Sequence, residues 1–175
     1  MHLEQYEKEV LSVDWSEFTD NRWYVPTKVA PALIALARAD TVSLEGIIFT
    51  KPFDPETTDV LLNTAISNQV LFAIGNNHAG AYYSAVRKAL PFIFQVALDG
   101  NHRVARNVAI NCLIDLHFFD AACGSEYDSE ELRKYVTAQI EEGIRENRSN
   151  FLQFAETHPG NRALVESLFY IVDEE

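Results

Sequence analysis

Apolar residues recur at helical spacing through most of the chain. Between positions 105 and 116 they stand at i, i+3, i+4, i+7, i+8 and i+11, which is one face of an α-helix. A strand would need an alternation of period two, and this segment has none. The stripe consists of Ala105, Val108, Ala109, Cys112, Leu113 and Leu116.

The segment before this helix carries a second stripe. Pro91 interrupts it and removes one backbone donor, so we expect a bend or a new turn there. Gly100 lies between Asp99 and Asn101, and we expect it to end the helix in a left-handed cap. From Ser84 onward, the residues that share the apolar face are Val86, Leu90, Ile93 and Ala97.

A further helix is predicted to begin at Pro55. Asp54 is suited to the cap position before it, and proline is favoured at the first helical position. The runs 46–50 and 70–75 have some β-like character, and we interpret both as buried helix ends. The expected apolar face of the Pro55 helix consists of Leu62, Ala65, Ile66, Gln69, Val70 and Ala73.

The C-terminal third predicts three more helices. Asp128 and Glu131 form a variant of the capping box at the start of one of them. A short helix then ends in a turn at Pro159 and Gly160, and 161–172 forms the last helix. The stripe of the first of these helices consists of Leu132, Tyr135, Val136, Ile140 and Ile144.

Residues 28–40 resemble residues 88–100 at an offset of 60 positions. Pro31 aligns with Pro91, and a second apolar stretch follows the polar break in both segments. Repeated helix pairs predict a stacked solenoid. The alternative is a helical bundle without repeats, in which the similarity arises by chance. In either case we expect a single all-α domain over 1–175.

The charge of the chain is strongly negative and unevenly spread. Its net charge is −12. Residues 1–25 hold six acids against two bases and 120–146 hold eight against three, whereas 76–118 hold two against four. An acidic surface repels nucleic-acid phosphates and anionic lipid, and attracts a basic partner. The alternative is that these acids only increase solubility.

No recognisable catalytic, metal or cofactor motif occurs in the chain. The five histidines lack zinc-site spacing, and there is no phosphate-binding loop or nucleophile elbow. We therefore expect no enzyme activity, no metal and no cofactor. We expect Cys112 and Cys123 to be buried or turn residues. The apolar runs are too short for a membrane span and no secretion signal is evident, which favours a cytoplasmic protein.

Three groups of residues are candidates for binding a protein partner. The first is an aromatic and acidic segment, typical of binding hot spots, whose alternative role is to pack as an end cap. The second is an acidic helix start. The third is a polar stripe at i, i+4 and i+8, whose alternative is a merely solvated face. The first group consists of Asp14, Trp15, Glu17, Asp20, Trp23 and Tyr24, and the second of Asp128, Glu130 and Glu131. The third consists of Arg103, Asn107 and Asn111. His78 is a further candidate, either for a partner contact or for a helix cap.

The segment from Ala89 to Leu116 resembles a HEAT-type repeat. It has a proline-containing first helix with Leu90–Ile93, an acidic turn at Asp99, Arg106 near the start of a second helix, and leucines at its end. The resemblance implies a short right-handed α-solenoid of HEAT- or armadillo-like antiparallel helix pairs, with second helices on the concave side. The first unit departs from the pattern, because Gly46 stands where the second has Arg106.

Short length, acidity and helical repeats also resemble the immunity proteins of bacterial toxin systems, including contact-dependent growth inhibition. That resemblance implies an immunity protein that covers the active-site cleft of a basic toxin, with a ribonuclease as the expected target. One alternative is a HEAT-like scaffold or adaptor in a larger complex. Another is a nucleic-acid enzyme of the HEAT-like glycosylase type, which the net charge disfavours.

Overall fold

The computed structural model of the protein describes residues 1–18, 22–40, 55–121 and 129–173. Within these ranges the chain is mostly helical, as predicted, and three two-residue strands form one small sheet. The helices are α1 (Leu3–Ser12), α2 (Val29–Ala37), α3 (Pro55–Ile74), α4 (Val86–Asp99), α5 (Arg103–Phe118), α6 (Ser129–Glu146), α7 (Arg148–Glu156) and α8 (Pro159–Asp173). The strands are β1 (Gly75–Asn76), β2 (Ala81–Tyr82) and β3 (Asp120–Ala121).

Helix α5 lies at the centre of the fold. It packs most extensively on α4 and α3, then on α8, and it also contacts α2 and α6. Its predicted stripe is buried, and so are three further residues on other faces, Val104, Asn107 and Ile110. Because neighbouring helices enclose α5 on most sides, residues around nearly its whole circumference belong to the core.

The connection between α4 and α5 is held by an arginine. Arg106 Nε donates a hydrogen bond to the carbonyl of Ala97 (2.9 Å), and its guanidinium reaches Asn150 Oδ1 (2.8 Å) and stacks on the ring of Phe154. Gly100 makes room for this arrangement, because a Cβ there would lie 2.6 Å from the Val96 carbonyl and 3.0 Å from Arg106 Cγ. The Arg106 side chain therefore fastens α4, α5 and α7 together.

Gly100 ends α4 at the predicted place but in a different conformation. Its φ of −55° and ψ of 137° are not left-handed, so the predicted cap geometry is wrong. Close approach to Val96 and Arg106 is the reason for glycine at this position. Among the described residues, the only positive φ belongs to Gly80, at 57°, in the turn between β1 and β2.

The small sheet is a feature that the hydrophobic pattern did not predict. Strand β1 pairs antiparallel with β2, and β2 pairs parallel with β3. The run 70–75 is a helix end as predicted as far as Ile74, but Gly75 already belongs to β1. Its backbone approaches that of β2 so closely that a Cβ would lie 2.2 Å from the Ala81 carbonyl. The run 46–50 lies outside the described residues.

The apolar stripes are confirmed in α5 and corrected in α3. In α3, Ala65 and Gln69 are exposed, because the helix is rotated so that neighbouring positions face the core. The stripe of α6 is buried except for Tyr135, which is 38% exposed. Ile66, Val70 and Ala73 of the predicted face are buried, and they are joined in the core by Ser67, Leu71 and Ile74.

Prolines mark helix starts more reliably than turns in this chain. Pro55 begins α3, as predicted, whereas the predicted turn at Pro159 is wrong because Pro159 is the first residue of α8. Pro91 lies inside α4 with an exposed side chain. Two of the residues predicted to cap helices, Asp54 and Asp128, lie outside the described residues.

Helices α4 and α6 run side by side in the same direction. Arg87 of α4 stacks on Tyr135 of α6, and further along Phe94 of α4 packs against Gly143 of α6. The two echoed segments correspond to α2 and α4, and the next described helix after α2 begins at Pro55. Gly46, the predicted point of departure, lies outside the described ranges. None of the described helices combines the length and the apolar character that crossing a membrane requires.

Candidate partner-binding surface

Trp15, Phe18 and Tyr24 of the N-terminal segment form an end cap on the core. Trp15 is 6% exposed, and its Nε1 donates a hydrogen bond to the carbonyl of Val10. Tyr24 is 8% exposed and donates from its hydroxyl to the carbonyl of Trp15 (2.9 Å). The Trp15 ring packs against Phe92 of α4. Burial of Trp15 and Tyr24 therefore favours the end-cap role over that of binding anchors, and their contact with a partner stays a prediction.

The acidic residues of the same segment remain at the surface. Asp14 and Glu17 are exposed. Asp14 accepts hydrogen bonds from the hydroxyl and backbone N–H of Ser16, and these lower the pKa of its carboxyl. Trp23 is 68% exposed, with the guanidinium of Arg22 over its ring. Asp20 lies outside the described residues. The available part of this group is thus two carboxylates and one indole.

The polar stripe on α5 is interrupted by burial. Asn107 is only 6% exposed, and its Oδ1 has no hydrogen-bond partner among the described residues. Arg103 and Asn111 on either side of it are partly exposed. Because helices enclose α5 on several sides, Asn107 lies within the core, and its contact with a partner stays a prediction. A regular polar spacing on this helix does not produce a continuous surface.

The acidic start of α6 is exposed, as its charge predicts. Glu130 forms an ion pair with Lys134 at 2.8 Å, and Glu131 is exposed beside it. Asp128 lies outside the described ranges. His78 is also exposed, in the turn between β1 and β2, with its ring edge against Phe72. Within the described part of the chain, no group of three or more potential metal-ligating side chains is found.

A groove lies between α4 and α6. It encloses about 220 Å³. Its floor is apolar, because Gly143 has no side chain and leaves the ring of Phe94 accessible; a Cβ at Gly143 would lie 2.5 Å from that ring. The stacked pair of Arg87 and Tyr135 lies at one end. The residues that line it are Arg87, Leu90, Pro91, Phe94 and Leu98 of α4; Tyr135, Gln139, Glu142, Gly143 and Glu146 of α6; and Asn147.

The two ends of the groove differ in charge. Because α4 and α6 run in the same direction, both C-termini lie at the end that holds Glu142 and Glu146, and the exposed Asp99 closes α4 there. Helix C-termini carry partial negative charge. The opposite end holds the guanidinium of Arg87. The groove therefore has two carboxylates and two helix C-termini at one end and the pair of Arg87 and Tyr135 at the other.

The two sides of α6 also differ. On the side away from the groove, Glu130 pairs with Lys134 and Glu141 pairs with Arg145. On the groove side, the helical period brings together three acids and Tyr135. These acids are Glu131, Glu142 and Glu146, and their carboxylates make no ion pair with any residue that the structure describes.

The exposed strip of α4 lies between the two acidic groups. Phe92 and Phe94 are two positions apart, which is about 200° around a helix. Phe92 packs on the N-terminal end cap and Phe94 on α6, so the arc between them faces outward. Lys88 and Pro91 are exposed on this arc. A partner lying across α4 would meet acidic residues on both sides.

The groove residues could not be recognised from sequence motifs, because they belong to none. One signal was present: Gly143 stands inside a strong helical pattern, where glycine costs about 1 kcal/mol relative to alanine. Such a glycine indicates a close approach by another element. The common spacing of Glu131, Glu142 and Glu146 on one face of the helix was a second signal.

Comparison of the chain with protein-family models, with curated proteins and with solved structures finds no match in any of the three.

Proposed function

We propose that this protein is a binding protein that neutralises a basic protein partner, in the manner of an immunity protein against a toxin nuclease. The observation that carries the proposal is the pair of acidic groups on the two sides of α4. One holds Asp14 and Glu17, and the other holds Glu131, Glu142 and Glu146 of α6. Such a surface accelerates encounter with a basic cleft and repels nucleic acid.

The same proposal includes a solenoid-like arrangement of helix pairs. Its support is the order of packing: α2 lies on α3, α4 on α5, α3 on α5, and α5 on α8. The parallel course of α4 and α6 is what equivalent helices of successive repeats would have. The short helix α7 and the small sheet are additions to such a pattern.

A nuclease is the proposed target because its substrate groove is basic. An inhibitor with carboxylates on both sides of an exposed helix can take the place of the substrate phosphates. Glu17 and Glu131 are exposed and suited to that role, since neither side chain takes part in the core. A ribonuclease is the specific target that we propose within this class.

The proposal is tested by capture followed by an activity assay. The tagged chain is used to isolate its partner from the cells that produce it, and the RNA-cleaving activity of the partner is measured with and without the chain. We expect a basic partner, stoichiometric inhibition, and an association rate that falls as salt is raised. An acidic partner, or a partner that keeps full activity when bound, would contradict the proposal.

One variant pair separates a specific surface from general acidity. Glu17→Lys with Glu131→Lys and Glu156→Lys with Glu166→Lys change the net charge equally, and all four residues are exposed. We expect only the first pair to weaken inhibition. A complex that retains all activity and resists both pairs would favour a scaffold in a larger assembly.

A further inference from the structure

The groove between α4 and α6 has the dimensions and chemistry of a docking site for one helix. From Arg87 to Leu98, the groove side of α4 spans about 17 Å, which is about three helical turns. Its walls are the side chains of two parallel helices, and its floor is the ring of Phe94 beside Gly143. A third helix fits such a channel by ridge-and-groove packing.

The walls of the groove favour a helix over an extended segment. Strand addition needs free backbone donors and acceptors along an edge, and the backbone groups of α4 and α6 are used within those helices. An incoming helix satisfies its own backbone and presents only side chains. Its apolar side chains would cover Phe94 and Leu98, which are partly exposed at the floor.

The charges specify the polar part of the occupant. Glu142 and Glu146 stand at the end where α4 and α6 terminate, and Arg87 stands at the other. Glu142 accepts a hydrogen bond from Gln139, and otherwise these two carboxylates face solvent. Lysine or arginine on the occupant is therefore favoured at the acidic end and disfavoured beside Arg87.

We infer that the groove between α4 and α6 binds a basic amphipathic helix of the partner, with its apolar face on Phe94 and Leu98 and its basic residues at Glu142 and Glu146. This inference deepens the proposed function and rests on it for the biological partner. The groove itself is tested without that partner.

The probe is a fluorescent synthetic helix of leucine and lysine, about 14 residues or four turns long. Its apolar residues occupy one face. Two comparison peptides are used: the same composition in scrambled order, and a version with glutamate in place of lysine. Binding to the full chain is followed by fluorescence anisotropy at about 0.15 M salt, where long-range attraction is largely screened. We expect the amphipathic lysine peptide alone to bind.

A charge-reversal pair locates the site. Glu142→Lys with Glu146→Lys is compared with Glu156→Lys with Glu166→Lys, which changes the net charge equally on a groove between α7 and α8. We expect the first pair to weaken peptide binding by about tenfold or more and the second by less than about twofold. Circular dichroism of both variants verifies that each remains folded.

A substitution in the floor tests the apolar contact separately. Leu98→Gln replaces an apolar side chain with a polar one of similar size at a partly exposed position and should weaken binding about fivefold. Equal weakening by both charge pairs, equal binding of the scrambled peptide, or no binding would overturn the inference. If the peptide binds as expected but the captured partner is not inhibited, the proposed function is wrong and the inference that the groove binds a basic helix is retained. If inhibition survives reversal at Glu142 and Glu146, the groove inference fails alone.

Discussion

Helices α5 and α6 have comparable patterns of polar residues. In α5 these residues support the core, whereas in α6 they lie beside a surface groove. In α5, Asn107 lies in the core and Arg106 fastens three helices together. In α6, the apolar residues fill one face only, and Glu142 and Glu146 stand beside a groove. The difference comes from position, because helices enclose α5 on several sides and α6 lies on the outside. Polar spacing alone does not tell a supporting helix from a binding one.

The largest expected effect separates the two helices by stability. Leu113→Ala in α5 should lower the free energy of unfolding by about 3 kcal/mol, because Leu113 is completely buried and no neighbour fills the cavity. Tyr135→Ala in α6 should lower it by less than about 1 kcal/mol, since Tyr135 is partly exposed. Urea denaturation measures both, and similar losses would contradict the comparison.

The second effect concerns the polar group that supports α5. Arg106→Ala removes two hydrogen bonds and the stacking on Phe154, so unfolding should become easier by about 2 kcal/mol. Arg162→Ala on the exposed surface of α8 is the control and should change stability by less than about 0.5 kcal/mol. A neutral Arg106→Ala variant would show that the arginine does not fasten the helices.

The third effect is a loss of stability in alkali that originates in the core around α5. Burial raises the pKa of the Cys112 thiol and of the Tyr82 hydroxyl to about 12, above their ordinary values of 9.0 and 10.0. The unfolded chain therefore ionises first, and stability is lost as pH rises from about 9 towards 12.

Between pH 9 and pH 10, Cys112 alone should contribute a loss of about 1 kcal/mol. Urea midpoints measured across this range test the expectation, and Cys112→Ala should make the alkaline decline shallower. A decline that is unchanged in this variant would mean that the thiol is not enclosed as described.

The smallest effect has the opposite sign. Asn107→Leu replaces a buried amide, whose Oδ1 has no hydrogen-bond partner in the described ranges, with an apolar group of similar size. Stability should rise by up to about 1 kcal/mol while partner binding stays the same. If the variant lost partner binding while its stability was unchanged, Asn107 would instead be a residue that contacts the partner.

The helical fold class and the buried apolar stripes can be predicted from the helical spacing of apolar residues. The arrangement of the exposed residues cannot. Leu132 and Leu113 could be assigned to the core because an apolar residue at helical spacing has few other uses. The rotation of α3 that exposes Gln69 depends on which helices enclose it. Trp15 had two plausible roles, and only its contacts with Phe92 and the Val10 carbonyl decide between them.

The groove could not be predicted from the sequence because its two walls are distant in the chain. Phe94 and Gly143 meet only through the parallel packing of α4 and α6, and no local pattern encodes that register. The charge difference between the ends of the groove depends on the same packing. The negative net charge alone indicated a basic partner. It did not indicate where Asp14 and Glu142 lie relative to each other.

The central claim is that the partner contacts the outer surface of α4 and α6 while α5 only supports it. Carboxyl labelling, read by mass spectrometry on the chain with and without its captured partner, tests this claim most directly. The account predicts that Glu142 and Glu146 become protected in the complex while Glu156 and Glu166 are labelled as before. Protection confined to Glu156 and Glu166 would contradict it.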